Sequence, residues 1–140
     1  MENPWLNLRS QPPFVLEMDN GDVRDYNSRH GNDAKLALNL IPEPYIGDPK
    51  TAKLVLLLLN PGVGEEDDKA HADPHFRDVL FQNLRGDLRD YPFYPLNPAF
   101  RTTPSAKWWL PRLQCLMKET GFSAEVLSKK LLAIEWFPYH

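Results

Sequence analysis

The sequence predicts an α/β fold, in which helices cover a mostly parallel sheet in three layers and a β-hairpin precedes the sheet. Two observations predict it. An unbroken apolar run, Leu54 to Leu59, lies between turn-forming residues, and a second largely apolar run, 131–137, follows after two capped helices. Unbroken apolar strands are typical of parallel sheets buried on both faces, and a strand–helix–strand order makes the two strands parallel.

Length and composition favour one compact domain. The 140 residues suit a single α/β domain over 1–140, with a hairpin and proline-rich lead-in over 1–50 and the core over 51–140. A net charge of -3 argues against a broad, non-specific nucleic-acid face, and a single cysteine excludes an internal disulfide. No apolar run reaches the roughly 18 residues of a membrane span, and no signal peptide is visible. We therefore expect a cytoplasmic protein with no membrane partner.

The N-terminal part predicts a hairpin over 14–27. Phe14 and Leu16 are apolar residues two positions apart, the period of a strand, and Asn20-Gly21 is a strong signal for a two-residue turn. A weakly helical segment, 34–41, comes next. Three prolines in 42–49 then predict a stiff loop without regular structure.

Local end signals define two helices after the first strand. The helix over 74–85 has Asp73 as its cap and Gly86 as its end, and the helix over 104–120 has Thr103 and Gly121 in the same roles. The proline-rich and aromatic segment 91–100 between them predicts an ordered loop. A short helix from Ser123 leads to the second strand.

The sheet as predicted lacks several elements. A sheet of this class normally continues past its second strand with a further helix and more strands, whereas here only a few residues follow 131–137. We therefore expect the domain to be incomplete, as a fragment or a small version of a larger α/β domain.

The candidate site lies at the carboxyl ends of the two strands, where open parallel sheets bind their ligands. Asn60 is the first polar residue after the apolar run, and Glu135 to His140 end the second strand. Pro61-Gly62 turns the chain sharply and leaves backbone amides free to face a ligand. The alternative is that Asn60 is only a turn former, with its amide bonded to the local backbone.

Other site patterns fail. Gly62 to Gly64 is not a phosphate loop, because no Gly-Lys-Ser/Thr follows. His71 and His75 have a helical i, i+4 spacing, but His71 precedes the cap at Asp73, so the spacing does not hold and we predict no metal site. No cofactor is predicted either.

The segment "LVLLLLNPG", which ends in Asn60-Pro61-Gly62, resembles the first motif of the uracil-DNA glycosylase superfamily, in the form found in its mismatch-specific branch. The resemblance implies that Asn60 orients the water that attacks the sugar, and that Pro61 and Gly62 shape the pocket floor. It implies a stacking aromatic soon after the motif, for which Phe76 is the candidate. "LLAIEWFPYH" stands where the family's base-reading strand would be, so Glu135 and His140 are candidate substrate-binding residues.

The last motif of that family, a His-Pro-Ser type loop that stabilises the leaving base, is missing. The resemblance therefore implies a glycosylase-like domain that would bind a flipped base and hydrolyse an N-glycosidic bond if complete, with DNA or a nucleotide as partner, and that is inactive as it stands. Two alternatives stay open. One is a non-enzymatic nucleotide- or protein-binding domain, and the other is an unrelated hydrolase or transferase that uses Glu135 and His140.

Overall fold

The computed structural model describes residues 2–140 and has an α/β fold. Its helices are α1 (Asn20–Arg29), α2 (Asp67–Ala72), α3 (Pro74–Arg85), α4 (Pro104–Thr120) and α5 (Ala124–Ser128), and its strands are β1 (Tyr45–Gly47), β2 (Leu54–Leu58) and β3 (Leu131–Glu135). Short 3₁₀ turns lie at Pro4–Asn7, Glu17–Asp19, Asn32–Ala34, Tyr94–Leu96 and Pro98–Phe100. Within residues 2–140, no helix is long and apolar enough to cross a membrane.

The three strands form one mixed sheet in the order β1-β3-β2. β2 and β3 are parallel neighbours, with Leu54 opposite Leu131 and Leu58 opposite Glu135, which confirms the pairing predicted from the apolar runs. β1 pairs antiparallel with β3, so the sheet is not mostly parallel. Only three residues between the prolines form β1, a length at which the strand signal is too weak to read.

Gly47 shows why β1 can lie so close to β3. Its φ angle is 115°, and a Cβ added there would lie 2.3 Å from the carbonyl oxygen of Leu131. Any other residue would push the two strands apart, so this close approach requires glycine.

The predicted helix ends are confirmed. The Asp73 side chain accepts hydrogen bonds from the backbone N–H groups of His75 and Phe76, and Gly86 ends α3 with a φ angle of 71°. Thr103 caps α4 through the N–H of Ala106, and Gly121 ends this helix with a φ angle of 67°. These signals are read correctly because each acts within one helical turn.

The hydrophobic core lies on one face of the sheet, where α3, α4 and the loop 91–100 pack. Leu131 and Ala133 of β3 are fully buried there, with Leu56 and Leu58 of β2 beside them. The buried core residues that pack on this face are Ile46, Phe76, Val79, Leu80, Leu84, Phe93, Tyr94, Leu96, Phe100, Trp109 and Leu113. The predicted order in the proline-rich loop is thus confirmed, because its rings fill this core.

The other face of the sheet, called the open face below, consists of Val55, Leu57, Leu59, Ile134 and Trp136. Leu57, Leu59 and Trp136 are 78%, 74% and 86% exposed. The prediction that β2 is buried on both faces is therefore wrong. The side chains of this open face are exposed, and β2 is the edge of the sheet.

The predicted N-terminal hairpin is also wrong. Asn20 and Gly21 begin helix α1 instead of forming a turn, and a 3₁₀ turn precedes them. The alternation seen in the sequence does not correspond to burial, because Phe14, Val15 and Leu16 are all buried in a row. The weak helix expected over 34–41 is likewise replaced by a 3₁₀ turn at Asn32–Ala34 and irregular chain.

Candidate functional site

A cavity of about 510 Å³ lies at the carboxyl ends of β2 and β3. Five of the six residues predicted from the sequence as site residues line it together: Asn60, Pro61, Gly62, Glu135 and His140. The parallel pairing explains this meeting, because it brings the ends of both strands to the same edge of the sheet.

Asn60 lies two residues after the end of β2 and is solvent-exposed at the cavity. A pure turn former would hydrogen-bond to the loop 61–64. Within the described residues, the Asn60 side chain makes no such bond. The turn is made by the backbone instead, since Gly62 has a φ angle of 75°. The carbonyl oxygen of Gly62 accepts a hydrogen bond of 2.7 Å from Nδ1 of His140, which fixes the loop against the end of the β3 segment.

Four buried polar side chains form a cluster beneath the cavity: Glu43, His71, Tyr94 and His140. The Tyr94 hydroxyl donates to Oε2 of Glu43 at 2.8 Å. Oε1 of Glu43 lies 3.8 Å from Nε2 of His71 and 3.9 Å from Nε2 of His140. Glu43 is held in place by its backbone N–H, which donates to the carbonyl oxygen of Pro138.

The environment of this cluster shifts its proton equilibria. Burial raises the pKa of Glu43, against the opposing effects of His140 and the Tyr94 hydroxyl. Burial lowers the pKa of His71 to about 3, with His140 adding to the effect. Burial also raises the pKa of Tyr94 well above its ordinary value. His71 and Tyr94 are therefore neutral over the whole physiological pH range.

The cluster has the composition of a metal site but not its hydrogen bonds. One atom from each of Glu43, His71 and His140 lies within 4.8 Å of the others. Nδ1 of His71, however, accepts the N–H of Ile41 at 2.9 Å, so the ring proton of the neutral imidazole lies on Nε2, the nitrogen nearest Glu43. The two ring nitrogens of His140 face the carbonyl oxygens of Gly62 and Ile41. A metal needs an unprotonated ring nitrogen, and the His71 nitrogen nearest Glu43 carries the ring proton, so this arrangement does not fit one.

Glu135 is the last residue of β3 and lines the cavity from below. Its side chain is only 8% exposed, and its Oε2 atom is buried without a hydrogen-bond partner among residues 2–140. Burial raises the pKa of Glu135 to about 7, and the nearby Glu43 contributes to the shift. A substantial fraction of this carboxyl is thus protonated at neutral pH, and one of its oxygens has no hydrogen-bond partner among residues 2–140.

Phe76, the sixth predicted site residue, does not reach this cavity. It is buried in the core, where its ring meets those of Tyr94 and Phe100 edge-on or tilted at 5.8 and 5.6 Å. Trp108 and Trp109 of α4 line the cavity in its place. Trp109 is buried against Phe93, whereas Trp108 is 43% exposed and can still cover a flat ligand.

No known family, curated protein or solved structure matches this chain.

Reading the sequence missed four residues of this site: Glu43, Asp67, Trp108 and Trp109. Glu43 lies in the segment for which three prolines predict a stiff loop. Asp67, Trp108 and Trp109 belong to no motif that predicts a site. The pairing of Glu43 with His71 and His140 depends on tertiary contacts and leaves no local pattern.

Proposed function

We propose that this protein is a uracil-DNA glycosylase-like domain whose cavity binds a nucleobase swung out of a nucleic acid. The observation that carries the proposal is that Asn60-Pro61-Gly62 lines a cavity together with a partly exposed indole, Trp108. A flipped base needs a polar group that reads its edge and a ring to stack on, and Asn60 and Trp108 offer both. The volume of about 510 Å³ lies in the usual range of small-ligand sites.

The surroundings of the cavity support a nucleic-acid partner locally. Lys107 and Arg112 flank Trp108 on α4, and the Arg112 guanidinium lies 3.8 Å from the centre of the Trp108 ring. Exposed cations beside a base pocket can contact phosphates while the base is inside. Lys107 is paired with Glu66 and would have to exchange this partner for a phosphate.

The proposal includes a three-layer architecture for the complete domain. The open face presents a row of apolar side chains of the kind that a second layer of helices covers in α/β/α folds.

The open face also favours a second candidate function, a non-enzymatic protein-binding domain. Large exposed apolar patches mark interaction surfaces, and Leu57, Ile134 and Trp136 form such a patch next to an unpaired strand edge. A domain of this kind binds no free nucleobase, and its partner binding does not depend on Asn60.

The test of the proposed function is the variant Asn60→Ala. Because Asn60 is exposed and its side chain makes no hydrogen bond among the described residues, its removal should change the melting temperature by no more than a few degrees. Loss of one hydrogen bond to the bound base should weaken binding about ten-fold. We would measure binding of adenine, uracil and short single-stranded oligonucleotides by calorimetry.

Asn7→Ala is the matched control, since Asn7 is also exposed but lies far along the chain in the first 3₁₀ turn. This control should bind like the unmodified protein. Equal binding by Asn60→Ala, or a large loss of stability with binding retained, would show that Asn60 only supports the loop.

A further inference from the structure

The unpaired carboxyl of Glu135 is the strongest unexplained feature of the cavity. A buried polar atom without a partner destabilises the folded protein, so it calls for an explanation. Oε2 of Glu135 is such an atom, and the residue lines the cavity at the end of β3. A ligand in the cavity with a hydrogen-bonding group at this point would satisfy it.

The charge of the cavity limits what that ligand can be. The titratable residues that line it are Glu43, Asp67, Glu135 and His140, and no lysine or arginine is among the lining residues in the described part of the chain. The ring nitrogens of His140 face the carbonyl oxygens of Ile41 and Gly62. Among residues 2–140, no lysine or arginine thus lines the cavity to stabilise an anion, whereas its carboxyl groups suit a positive charge.

This charge pattern separates the two classes of base. Uracil leaves a sugar as an anion, because its ring nitrogens have no lone pair in the ring plane that could take up a proton. Purines keep basic ring nitrogens, such as N7, and can leave as neutral molecules once they are protonated. The transition state of glycosidic cleavage is also positively charged at the sugar, which carboxylates stabilise.

We propose that Glu135 is the general acid for hydrolysis of an N-glycosidic bond and that the base released in this cavity is a purine. The inference rests on the proposed function, since it requires the base to enter this cavity. The Glu135 carboxyl gives its proton to a ring nitrogen of the purine as the C1′–N bond breaks. The oxygen of a water molecule held by Asn60 forms the new bond to C1′, and a proton from this water returns to the Glu135 carboxylate.

Two structural facts place the acid correctly for this step. Asn60 and Glu135 lie at the carboxyl ends of adjacent parallel strands and line the same cavity, so a water held by Asn60 and the acid would meet at one edge of the sheet. Burial, with Glu43 facing the same cavity, holds the pKa of Glu135 at about 7, so the acid form is present at neutral pH.

The experiment uses the full chain and thymidine oligonucleotides that contain one central adenine or one central uracil. Single strands avoid the need to open a duplex. Release of the base is measured as alkali-labile sites. We expect adenine to be released and uracil not, at a rate that falls as the pH rises above about 7, because Glu135 then loses its proton.

Glu135→Gln should bind the adenine oligonucleotide within about three-fold of the unmodified protein but release adenine about 100-fold more slowly. Glu119→Gln, which changes an exposed glutamate on α4, should leave the rate unchanged. If Glu135→Gln does not fold, as judged by circular dichroism, the pH profile of the unmodified protein decides, and a rate that stays flat between pH 6 and pH 8 overturns the proposal.

The remaining outcomes separate this inference from the function on which it rests. Adenine bound but not released, or uracil released faster than adenine, overturns the role of Glu135 and leaves base binding intact. An unchanged rate in Glu135→Gln does the same. If neither oligonucleotide nor free base binds, both the proposed function and this inference fail.

Discussion

His140 connects three parts of the chain at the floor of the cavity. Its ring nitrogens lie 2.7 Å from the carbonyl oxygen of Gly62 and 3.1 Å from that of Ile41, and its own carbonyl oxygen accepts from the N–H of Ala37. The loop after β2 and the segment before β1 are thereby fixed relative to each other. A residue in this position sets the shape of the site even if it never touches a ligand.

His71 makes stability depend on pH. Its pKa is 6.5 in the unfolded chain and about 3 in the folded one, so the unfolded chain gains a proton first as the pH falls. The stabilisation is complete above pH 6.5 and is lost between pH 6.5 and 3. The variant His71→Gln keeps a hydrogen-bond acceptor but does not titrate. Between pH 7 and pH 5, its free energy of unfolding should therefore fall by about 2 kcal/mol less than that of the unmodified protein.

The measurement is urea unfolding at the two pH values. Glu135, whose pKa is raised to about 7, changes the stability of the protein in the opposite direction. The folded protein gains stability from this residue as the pH falls. This contribution is common to both proteins and cancels in the comparison. His75→Gln changes an exposed histidine nearby and should keep the pH dependence of the unmodified protein. The prediction is contradicted if both variants behave alike.

Single residues were predictable from the sequence where their role follows from position along the chain. The sequence predicts the position of Asn60 and Glu135 at the cavity, because each lies at the carboxyl end of an apolar run. The roles of Glu43 and His71 were not found, because they arise only when distant segments fold together. His71 precedes the cap at Asp73, as the sequence indicates, and lies in the separate short helix α2.

Among the elements, β3 and β2 differ most in their surroundings. β3 is hydrogen-bonded on both sides, whereas β2 is bonded to β3 alone and its other edge is unpaired. Alternate N–H groups of an edge strand point to solvent. Strand β2 therefore combines apolar side chains with a free row of backbone donors and acceptors.

Hydrogen exchange should show this difference. We expect the amides of β3 to exchange slowly along the whole strand, and alternate amides of β2 to exchange quickly, because they have no partner. Residue-resolved exchange measured by nuclear magnetic resonance on dilute protein would test it. Uniform protection of β2 would mean that another strand covers its edge in solution.

The elements were predicted well where local chemistry decides them. The caps and glycine ends of α3 and α4 act within one turn, and the parallel pairing follows from the strand–helix–strand order. The prediction of a hairpin was wrong because Asn20-Gly21 is compatible with both a turn and the start of a helix, and burial of Phe14 to Leu16 favours the helix. The prediction that β2 is buried on both faces was wrong because a sequence shows that a strand is apolar but not what covers it.

In the whole molecule, the core is one-sided. Leu131 is completely buried on the helix-covered face, and Leu57 is 78% exposed on the open face, although both belong to apolar runs that look alike in the sequence. The sheet therefore contributes to stability mainly through one of its faces.

Two matched variants test this asymmetry. Leu131→Ala should lower the free energy of unfolding by about 3 kcal/mol, because it leaves a cavity in the core. Leu57→Ala should change it by less than about 0.5 kcal/mol, because the side chain is mostly in solvent. Denaturant unfolding measures both. A cost at Leu57 similar to that at Leu131 would show that the open face is covered in solution.

The apolar run that forms β2 also has a consequence for chains that have not yet folded or that meet in solution. Six uncharged residues without proline or glycine, Leu54 to Leu59, form a segment of the kind that stacks into cross-β aggregates. In the folded protein this segment stays at the edge of the sheet and is largely exposed, so folding does not hide it. The residues around it are those that oppose stacking: Lys53 on one side, and Pro61 followed by the acids Glu65 to Asp68 on the other. We therefore expect the acidic run to oppose the joining of this exposed strand to its copies.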